Sequence, residues 1–252
     1  MWRSLATAPS DTLHGRLMRL PLKLLPRGMM VSVRSGVNRG LRWVVGSSTH
    51  GCWLGTYETG KQDAVRRLAR PGMTIFDIGA NAGFYTLAFS RLVGAQGRVY
   101  AFEPLAENVV NLLRHVAINN ADNVTVIQAA AAHQPGIVAF QRAANNATGR
   151  ITGSGWYQVP AISLDDLIQK GTLPVPDIVK MDVEGAESRV LEGALSLLRS
   201  KNTVWLIAIH DEEQARHCQA ILSDTNYRLY RLDGTELSPG PLFTDEIYAV
   251  PA

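Results

Sequence analysis

The chain has 252 residues, of which 46% are hydrophobic and 19% charged, and its formal net charge is only +3. This length suits one large α/β domain with an N-terminal extension. So weak a basic bias lies well short of a nucleic-acid-binding signature, and no apolar run approaches the ~20 residues needed to span a bilayer. Cys52 and Cys218 share no metal-ligand spacing and are expected to be reduced thiols. A cytoplasmic protein without a nucleic-acid partner is therefore predicted.

The first 54 residues are predicted to form an extension that precedes a main domain over residues 55–252. Basic residues and leucines are interleaved along residues 1–30. This pattern favours a helical segment packed on the domain, or a disordered one, over a peripheral contact with an anionic membrane surface. Alternating apolar residues over 31–45 predict a hairpin, and a glycine-rich link over 46–55 follows it.

From residue 61 onward, amphipathic segments alternate with short apolar runs. The predicted helices are residues 61–69, 82–92, 105–119, 185–199 and 212–224. The predicted strands are residues 74–78, 98–102, 124–127, 178–181 and 204–209. Further strands are predicted at 137–140 and 158–162, with a closing pair at 227–232 and 246–250. The alternation is typical of right-handed βαβ crossovers, so it predicts a mostly parallel sheet with helices on both faces.

A loop of small residues follows the first of these strands and opens a helix. It runs from Gly79 through Ala80, Asn81 and Ala82 to Gly83. Small residues let the backbone turn sharply and approach a ligand, and the helix N-terminus offers free N–H groups to an anion. The next predicted strand ends at Glu103, whose carboxylate can accept hydrogen bonds from both hydroxyls of a ribose. Together they predict a nucleoside-containing cofactor at the carboxyl edge of the sheet.

Two details of the loop separate the possible cofactors. A dinucleotide site needs Gly-x-Gly-x-x-Gly, but Asn81 stands where the middle glycine would lie. Asp77, just before Gly79, would repel a pyrophosphate and attract an ammonium group. S-adenosylmethionine, with one carboxylate, one ammonium and one ribose, is therefore favoured over a nicotinamide dinucleotide.

A second acidic group lies at the predicted ligand edge. Asp182 ends the fourth strand, and Glu184 and Glu187 follow at the start of a helix. Helix capping is the simpler explanation for one of them, but three acids at this edge suggest a site near the donor or acceptor. His210, after the fifth strand, can remove a hydroxyl proton. A magnesium cluster is an alternative that no further motif supports, so no metal is predicted. The other histidines, including His115, are expected to face solvent.

The motifs resemble those of the FkbM family of methyltransferases. The matching segments are residues 55–58, 76–86, 101–104 with Asn108, and 179–187. The resemblance implies a class I methyltransferase fold, which is a Rossmann-like, mostly parallel seven-stranded sheet. It also implies S-adenosylmethionine as donor and O-methylation of a hydroxyl on a small molecule, a sugar or a natural product. The chain departs from the family in its alanines at 129–132, although small residues there suit an adenine ring.

The predicted site combines the motif residues with those chosen from their chemistry. The cofactor-binding set is Glu58, Asp77, Gly79, Ala80, Asn81, Gly83, Tyr85, Thr86, Glu103, Pro104, Asn108, Ala129 and Asp182. The catalytic set is Asp182, Glu184 and His210, and a polar loop with Asn145, Asn146 and Arg150 is a further acceptor-pocket candidate. The alternatives are a nicotinamide-dependent oxidoreductase, a nucleic-acid methyltransferase and a non-catalytic module that keeps the cofactor fold.

Overall fold

The computed structural model describes residue 22 and residues 25–142, 149–151, 157–237 and 245–252. Its strands are β1 (Met30–Ser32), β2 (Arg42–Val44), β3 (Thr74–Ile78), β4 (Arg98–Phe102), β5 (Val124–Ile127), β6 (Ala130–Ala131), β7 (Gly136–Arg142), β8 (Gly149–Ile151), β9 (Tyr157–Ile162), β10 (Ile178–Met181), β11 (Val204–Ala208), β12 (Tyr227–Arg231) and β13 (Glu246–Pro251). Its helices are α1 (His50–Leu54), α2 (Thr59–Leu68), α3 (Phe84–Val93), α4 (Ala106–Ile118), α5 (Leu164–Gln169), α6 (Glu187–Glu192), α7 (Leu195–Ser200) and α8 (Glu212–Asp224). The acceptor-pocket candidates Asn145 and Asn146 lie outside the described residues.

Seven strands form the central sheet, in the order β12-β13-β11-β10-β3-β4-β5. The five strands from β11 to β5 are parallel, and β13 runs antiparallel to both β11 and β12. This confirms the predicted sheet and its closing strand pair. The chain builds outward from β3 through β4 to β5, then returns to add β10 on the other side of β3. In such sheets the crevice at this reversal of strand order is where ligands bind.

Both faces of the sheet are covered by apolar residues. Ile75 and Phe76, adjacent in β3, belong to two different buried clusters because successive side chains of a strand point to opposite faces. Phe76 packs in a cluster with Val190 of α6, whereas Ile75 packs in one with Phe89 of α3. The second cluster also contains Trp43 of β2, so the predicted extension shares a core with the sheet. The boundary at residue 54 stays a prediction.

Three local features differ from the predictions. The predicted link over 46–55 contains α1, and the predicted helix over 185–199 is divided into α6 and α7. A Cβ at Gly193, between those two helices, would lie 2.1 Å from the carbonyl oxygen of Ala132, so the backbones approach closely where the helix is interrupted. The third is the unpredicted helix α5, whose N-cap Ser163 accepts a hydrogen bond from the Asp166 N–H.

A second sheet, in the order β6-β9-β7-β8, follows β5. It contains the strands predicted at 137–140 and 158–162. Cys52 and Cys218 are buried free thiols, as predicted. Within the described ranges, no helix combines the length and apolarity needed to cross a membrane.

The prediction that His115 faces solvent is wrong. Its ring is buried, stacks on Trp43 at a centroid distance of 3.9 Å, and accepts a hydrogen bond from the Val44 N–H through Nε2 at 3.0 Å. Nδ1 lies 2.7 Å from the carbonyl oxygen of Ala82, so Nδ1 carries the proton of a neutral ring. His115 therefore connects β2 and α4 to the loop between β3 and α3. Its burial on the inner face of α4 depends on tertiary packing, which no single residue of the sequence predicts.

Acid is expected to destabilise the protein through His115. Burial lowers the pKa of His115 from 6.5 to about 4. As the pH falls from 6.5 towards 4, His115 therefore binds a proton in the unfolded state but stays neutral in the folded state. The contribution of His115 to the free energy of unfolding is fully present above pH 6.5, and it is lost progressively as the pH falls from 6.5 to about 4. From about pH 7.5 to about pH 5 the loss is about 2 kcal/mol in the free energy of unfolding.

Urea unfolding of the wild type and of His115→Gln at both pH values measures this term. The wild type should lose about 2 kcal/mol more than the variant over this interval. His133→Gln, which changes an exposed histidine, should behave as the wild type does. Equal pH dependence in the wild type and His115→Gln would contradict the assignment.

Candidate active site

The loop between β3 and α3 is held in an unusual backbone conformation. Gly79 has φ +74°, and a Cβ there would lie 1.9 Å from the carbonyl oxygen of Asp182. Gly83 has φ +92°, and its Cβ would lie 2.4 Å from Leu112 Cδ1 on α4. Asn81 also adopts a left-handed conformation, with φ +50°. Both the backbone conformation and the limited space favour glycine at positions 79 and 83. The loop backbone can therefore lie close to the end of β10 and to α4.

Glu103 is fixed beside this loop by hydrogen bonds to both of its carboxylate oxygens. Oε2 accepts from the Asn81 N–H at 2.8 Å, and Oε1 accepts from the Leu105 N–H at 2.9 Å and from Asn108 Nδ2 at 3.2 Å. The side chain is 4% exposed. Burial raises the pKa of Glu103, and the three donors act against that increase. Oε2, which accepts a single hydrogen bond from these donors, keeps acceptor capacity for a ligand hydroxyl.

One cavity extends along the loop and reaches the ends of β10 and β3. Ten of the predicted residues line it, namely Gly79, Ala80, Asn81, Tyr85, Glu103, Pro104, Asn108, Ala129, Asp182 and Glu184. The other predicted residues are not among those that line it: Glu58, Asp77, Gly83, Thr86 and His210. Sequence reasoning missed the contribution of the extension, whose Trp43, Ser48, Thr49 and Cys52 also line the cavity. No motif in the extension signals this, because only packing brings it to the sheet edge.

Asp77 lies beneath the loop rather than in the cavity. It is fully buried, accepts a hydrogen bond from Thr86 Oγ1 at 2.6 Å, and pairs with Lys180 Nζ at 3.2 Å. Lys180 also donates to the carbonyl oxygen of Gly79 at 3.1 Å. Lys180 is not among the predicted site residues, although a lysine inside an apolar strand is itself a signal of a buried charge with a partner. Asp77 and Lys180 together support the loop from below.

Lys61 is the centre of a second buried ion-pair group. Its Nζ lies 2.8 Å from Glu58 Oε2 and 3.2 Å from Asp182 Oδ2, and it also pairs with Glu246 of β13. The side chain is 2% exposed. Burial alone would lower the pKa of Lys61, but the carboxylates of Asp182, Glu58 and Glu246 raise it above its ordinary value. Tyr85 extends the group by donating a hydrogen bond to Glu58 Oε2 at 3.0 Å.

The three predicted catalytic residues meet where β10 and β11 end. His210 Nε2 lies 3.4 Å from Asp182 Oδ1 and 3.5 Å from Glu184 Oε2. His210 Nδ1 lies 2.7 Å from Oε1 of Glu187, a residue that is fully buried. Glu184 adopts a left-handed conformation with φ +56°, which is uncommon outside glycine. The arrangement presents two carboxylates and one imidazole beside the cavity.

The charges of this cluster shift its pKa values in opposite directions. Burial would raise the pKa of Asp182, but Lys180, Lys61 and His210 lower it to about 2. The hydrogen bond to Glu187 raises the pKa of His210 to about 9, against the effect of burial. Burial raises the pKa of Glu184, and the charge of His210 opposes that rise. At neutral pH Asp182 is therefore ionised, and His210 carries a proton.

Fold and family together identify the class of this protein. Its sheet order and loop geometry are those of a class I methyltransferase, and the methyl donor of that class is S-adenosylmethionine. Residues 77–229, more than half of the chain, match the model of the methyltransferase FkbM domain. The chain therefore belongs to the FkbM family of methyltransferases.

The chain is also similar to individual proteins. Hexuronic acid methyltransferase AglP of Haloferax volcanii is 29% identical over 170 residues, which cover 66% of this chain and 69% of that protein. The fold is similar to that of an S-adenosylmethionine-dependent O-methyltransferase from Thermotoga maritima, with a TM-score of 0.50, 11% identity, and coverage of 92% of this chain and 80% of that one. A methyltransferase FkbM from Methylobacillus flagellatus matches with a TM-score of 0.46 and 19% identity; the match covers 77% of this chain but about half, 51%, of that one.

Proposed function

We propose that the protein methylates a hydroxyl oxygen of a sugar or of a similar small molecule, and that the residues predicted from the sequence bind the donor. The observation that carries this proposal is one continuous cavity. The Gly79 loop and Glu103 line it together with Asp182 and Glu184. Donor and acceptor must lie in line for the transfer, so we assign the donor end to the part of the cavity beside Glu103 and the acceptor end to the part beside Asp182 and Glu184.

At the donor end, each proposed contact matches one group of S-adenosylmethionine. Glu103 accepts hydrogen bonds from the ribose hydroxyls, while the N–H groups at the start of α3 face the carboxylate. Ala129 leaves space for the adenine ring. Asp77 acts through Lys180, which holds the carbonyl oxygen of Gly79 in place. Glu58 acts through Tyr85, to which it is hydrogen-bonded.

At the acceptor end, Asp182, Glu184 and His210 orient the hydroxyl, and a carboxylate of this cluster removes its proton. The acceptor oxygen forms a bond to the methyl carbon as the carbon–sulfur bond breaks, and the hydroxyl proton passes to this cluster. Carboxylates and imidazole are suitable hydrogen-bond partners for sugar hydroxyls. The similarity to a hexuronic acid methyltransferase supports a sugar as the acceptor.

Isotope-labelled S-adenosylmethionine and a panel of sugars test this function. The panel contains glucuronic acid, galacturonic acid and their neutral counterparts, with a simple phenol for comparison. Mass spectrometry should detect a methyl ether of a sugar, and Asp182→Asn should lower its rate of formation by about 100-fold or more. Asp63→Asn, a change on the exposed side of α2, should leave the rate unchanged.

Three results would contradict the proposal in different ways. Methylation of the phenol but of no sugar would exclude the acceptor class. A methyl ester of the uronic acids would place the methyl group on a carboxylate instead of a hydroxyl. Tight binding of a nicotinamide cofactor without binding of S-adenosylmethionine would exclude the proposed donor site.

A further inference from the structure

Donor atoms of Asp182, Glu184 and His210 lie close enough together for one metal ion to bind all three. His210 Nε2 lies 3.4 Å from Asp182 Oδ1 and 3.5 Å from Glu184 Oε2, and one ligand atom from each residue lies within 4.8 Å of the other two. Metal–ligand bonds of about 2.1 Å place neighbouring donor atoms about 3.0–3.5 Å apart in octahedral or tetrahedral geometry. The two distances from His210 match that range.

Glu187 provides an independent observation, because its contact with His210 is of the kind that carboxylates make with metal-ligating histidines. Its Oε1 lies 2.7 Å from His210 Nδ1, which directs Nε2 towards Asp182 and Glu184. Metal-ligating histidines almost always donate their second N–H to a carboxylate, carbonyl or water in this way. Glu187 is fully buried, and its Oε2 has no hydrogen-bond partner among the described residues. Keeping a buried carboxylate in this state is costly, so a role beyond packing is indicated.

The charge balance of the network also favours a cation. Within the part of the chain that the structure describes, the ion pairs around the site contain six carboxylates, two lysines and one histidine. Asp182 directs Oδ2 to Lys61 and leaves Oδ1 towards His210. Glu184 and Glu187 have His210 as their ion-pair partner in the described ranges, and neither lies within ion-pair distance of a lysine. Negative charge therefore accumulates on the side of the cluster away from the lysines.

We propose that Asp182, Glu184 and His210 bind a divalent transition-metal cation, of which Mn²⁺ is the probe of choice. A mixed set of carboxylate and imidazole ligands suits such ions, and three protein ligands leave coordination positions open. Asp182 and Glu184 line the cavity, so a cation that they hold would border it. A role for the cation in binding and acidifying the acceptor hydroxyl rests on the proposed function, but binding of the cation does not.

Titration with MnCl₂, followed by the electron paramagnetic resonance signal of free Mn²⁺, tests the site directly. Protein treated with a chelator and then dialysed should bind one equivalent of Mn²⁺. His210→Ala should weaken binding by about 100-fold, and Glu187→Gln, which keeps the side-chain shape, by about 10-fold or more. His217→Ala, an exposed histidine on α8, is the matched control and should bind as the wild type does. Melting curves show whether each variant is folded.

The outcomes separate the site from its role. Absence of Mn²⁺ binding by the wild type, or unchanged binding by folded His210→Ala, would overturn the site. Binding that depends on His210, together with sugar methylation that is lost with chelator and restored by Mn²⁺, supports both the site and its role. Methylation that is insensitive to the chelator would overturn the catalytic role. Binding that depends on His210 with no sugar methylated would support the cation site and contradict the proposed function.

Discussion

Glu103→Ala is expected to weaken binding of S-adenosylmethionine by about 100-fold or more while the chain stays folded. The variant removes the proposed acceptor for the ribose hydroxyls, and hydrogen bonds to a charged group contribute about 1.5–3 kcal/mol each. It also leaves the N–H groups of Asn81 and Leu105 without the oxygens that now fix the loop. Isothermal titration calorimetry with S-adenosylmethionine measures the change in affinity.

The matched control for this experiment is Glu107→Ala. Glu107 is an exposed glutamate in the first turn of α4, four residues beyond Glu103. Its removal should change donor affinity by less than about 3-fold, because an exposed charge contributes little. Donor affinity within that same margin for Glu103→Ala would show that the ribose lies elsewhere.

Lys61→Met is expected to lower the free energy of unfolding by about 3–5 kcal/mol. The variant keeps most of the side-chain volume but leaves Glu58, Asp182 and Glu246 without the buried ammonium group that they share. Removing one partner of a buried ion pair is costly because the other charge stays in a poorly solvated place. Urea unfolding at neutral pH measures the change.

An exposed lysine provides the comparison for Lys61. Lys170 is 66% exposed and pairs with Asp166 at 2.8 Å, so Lys170→Met should lower the free energy of unfolding by less than about 1 kcal/mol. Equal effects of the two substitutions would mean that the Lys61 group is solvated and contributes no more than a surface pair. Since Lys61 also contacts Asp182, the folded variant should methylate acceptor more slowly than the wild type.

The structure changes how the predicted acidic residues are understood. Asp77 was predicted to hold the ammonium group of the donor, yet it is paired with Lys180 beneath the loop. Direct binding of the ammonium group by Asp77 stays a prediction, and the geometry favours an indirect role in which Asp77 acts through Lys180. His210 was predicted to be a base, but three carboxylates around it keep it protonated at neutral pH. A site that holds a proton between several carboxylates is also one where a cation can take the place of that proton.

Local chemistry alone predicts most of the fold and the residues of the proposed donor end. Short apolar runs that alternate with amphipathic segments indicate a buried parallel sheet. A glycine loop after the first strand indicates that the backbone there approaches a ligand or a neighbouring element closely. Gly79 and Glu103 can be placed at the sheet edge from the sequence because that placement depends on residue type and position along the chain. The same reasoning placed Asp182 and His210 at the strand ends.

Only the tertiary structure decided which charges meet, and which surfaces close the cavity. Lys61 and Asp182 are 121 residues apart, and no periodicity relates them, but α2 packs against the edge where β10 ends. His115 is buried because β2 covers it, and β2 belongs to a segment whose sequence shows only a hairpin. Such contacts depend on how separate elements pack. A linear pattern can predict that an element exists, but it does not contain the distance from that element to another.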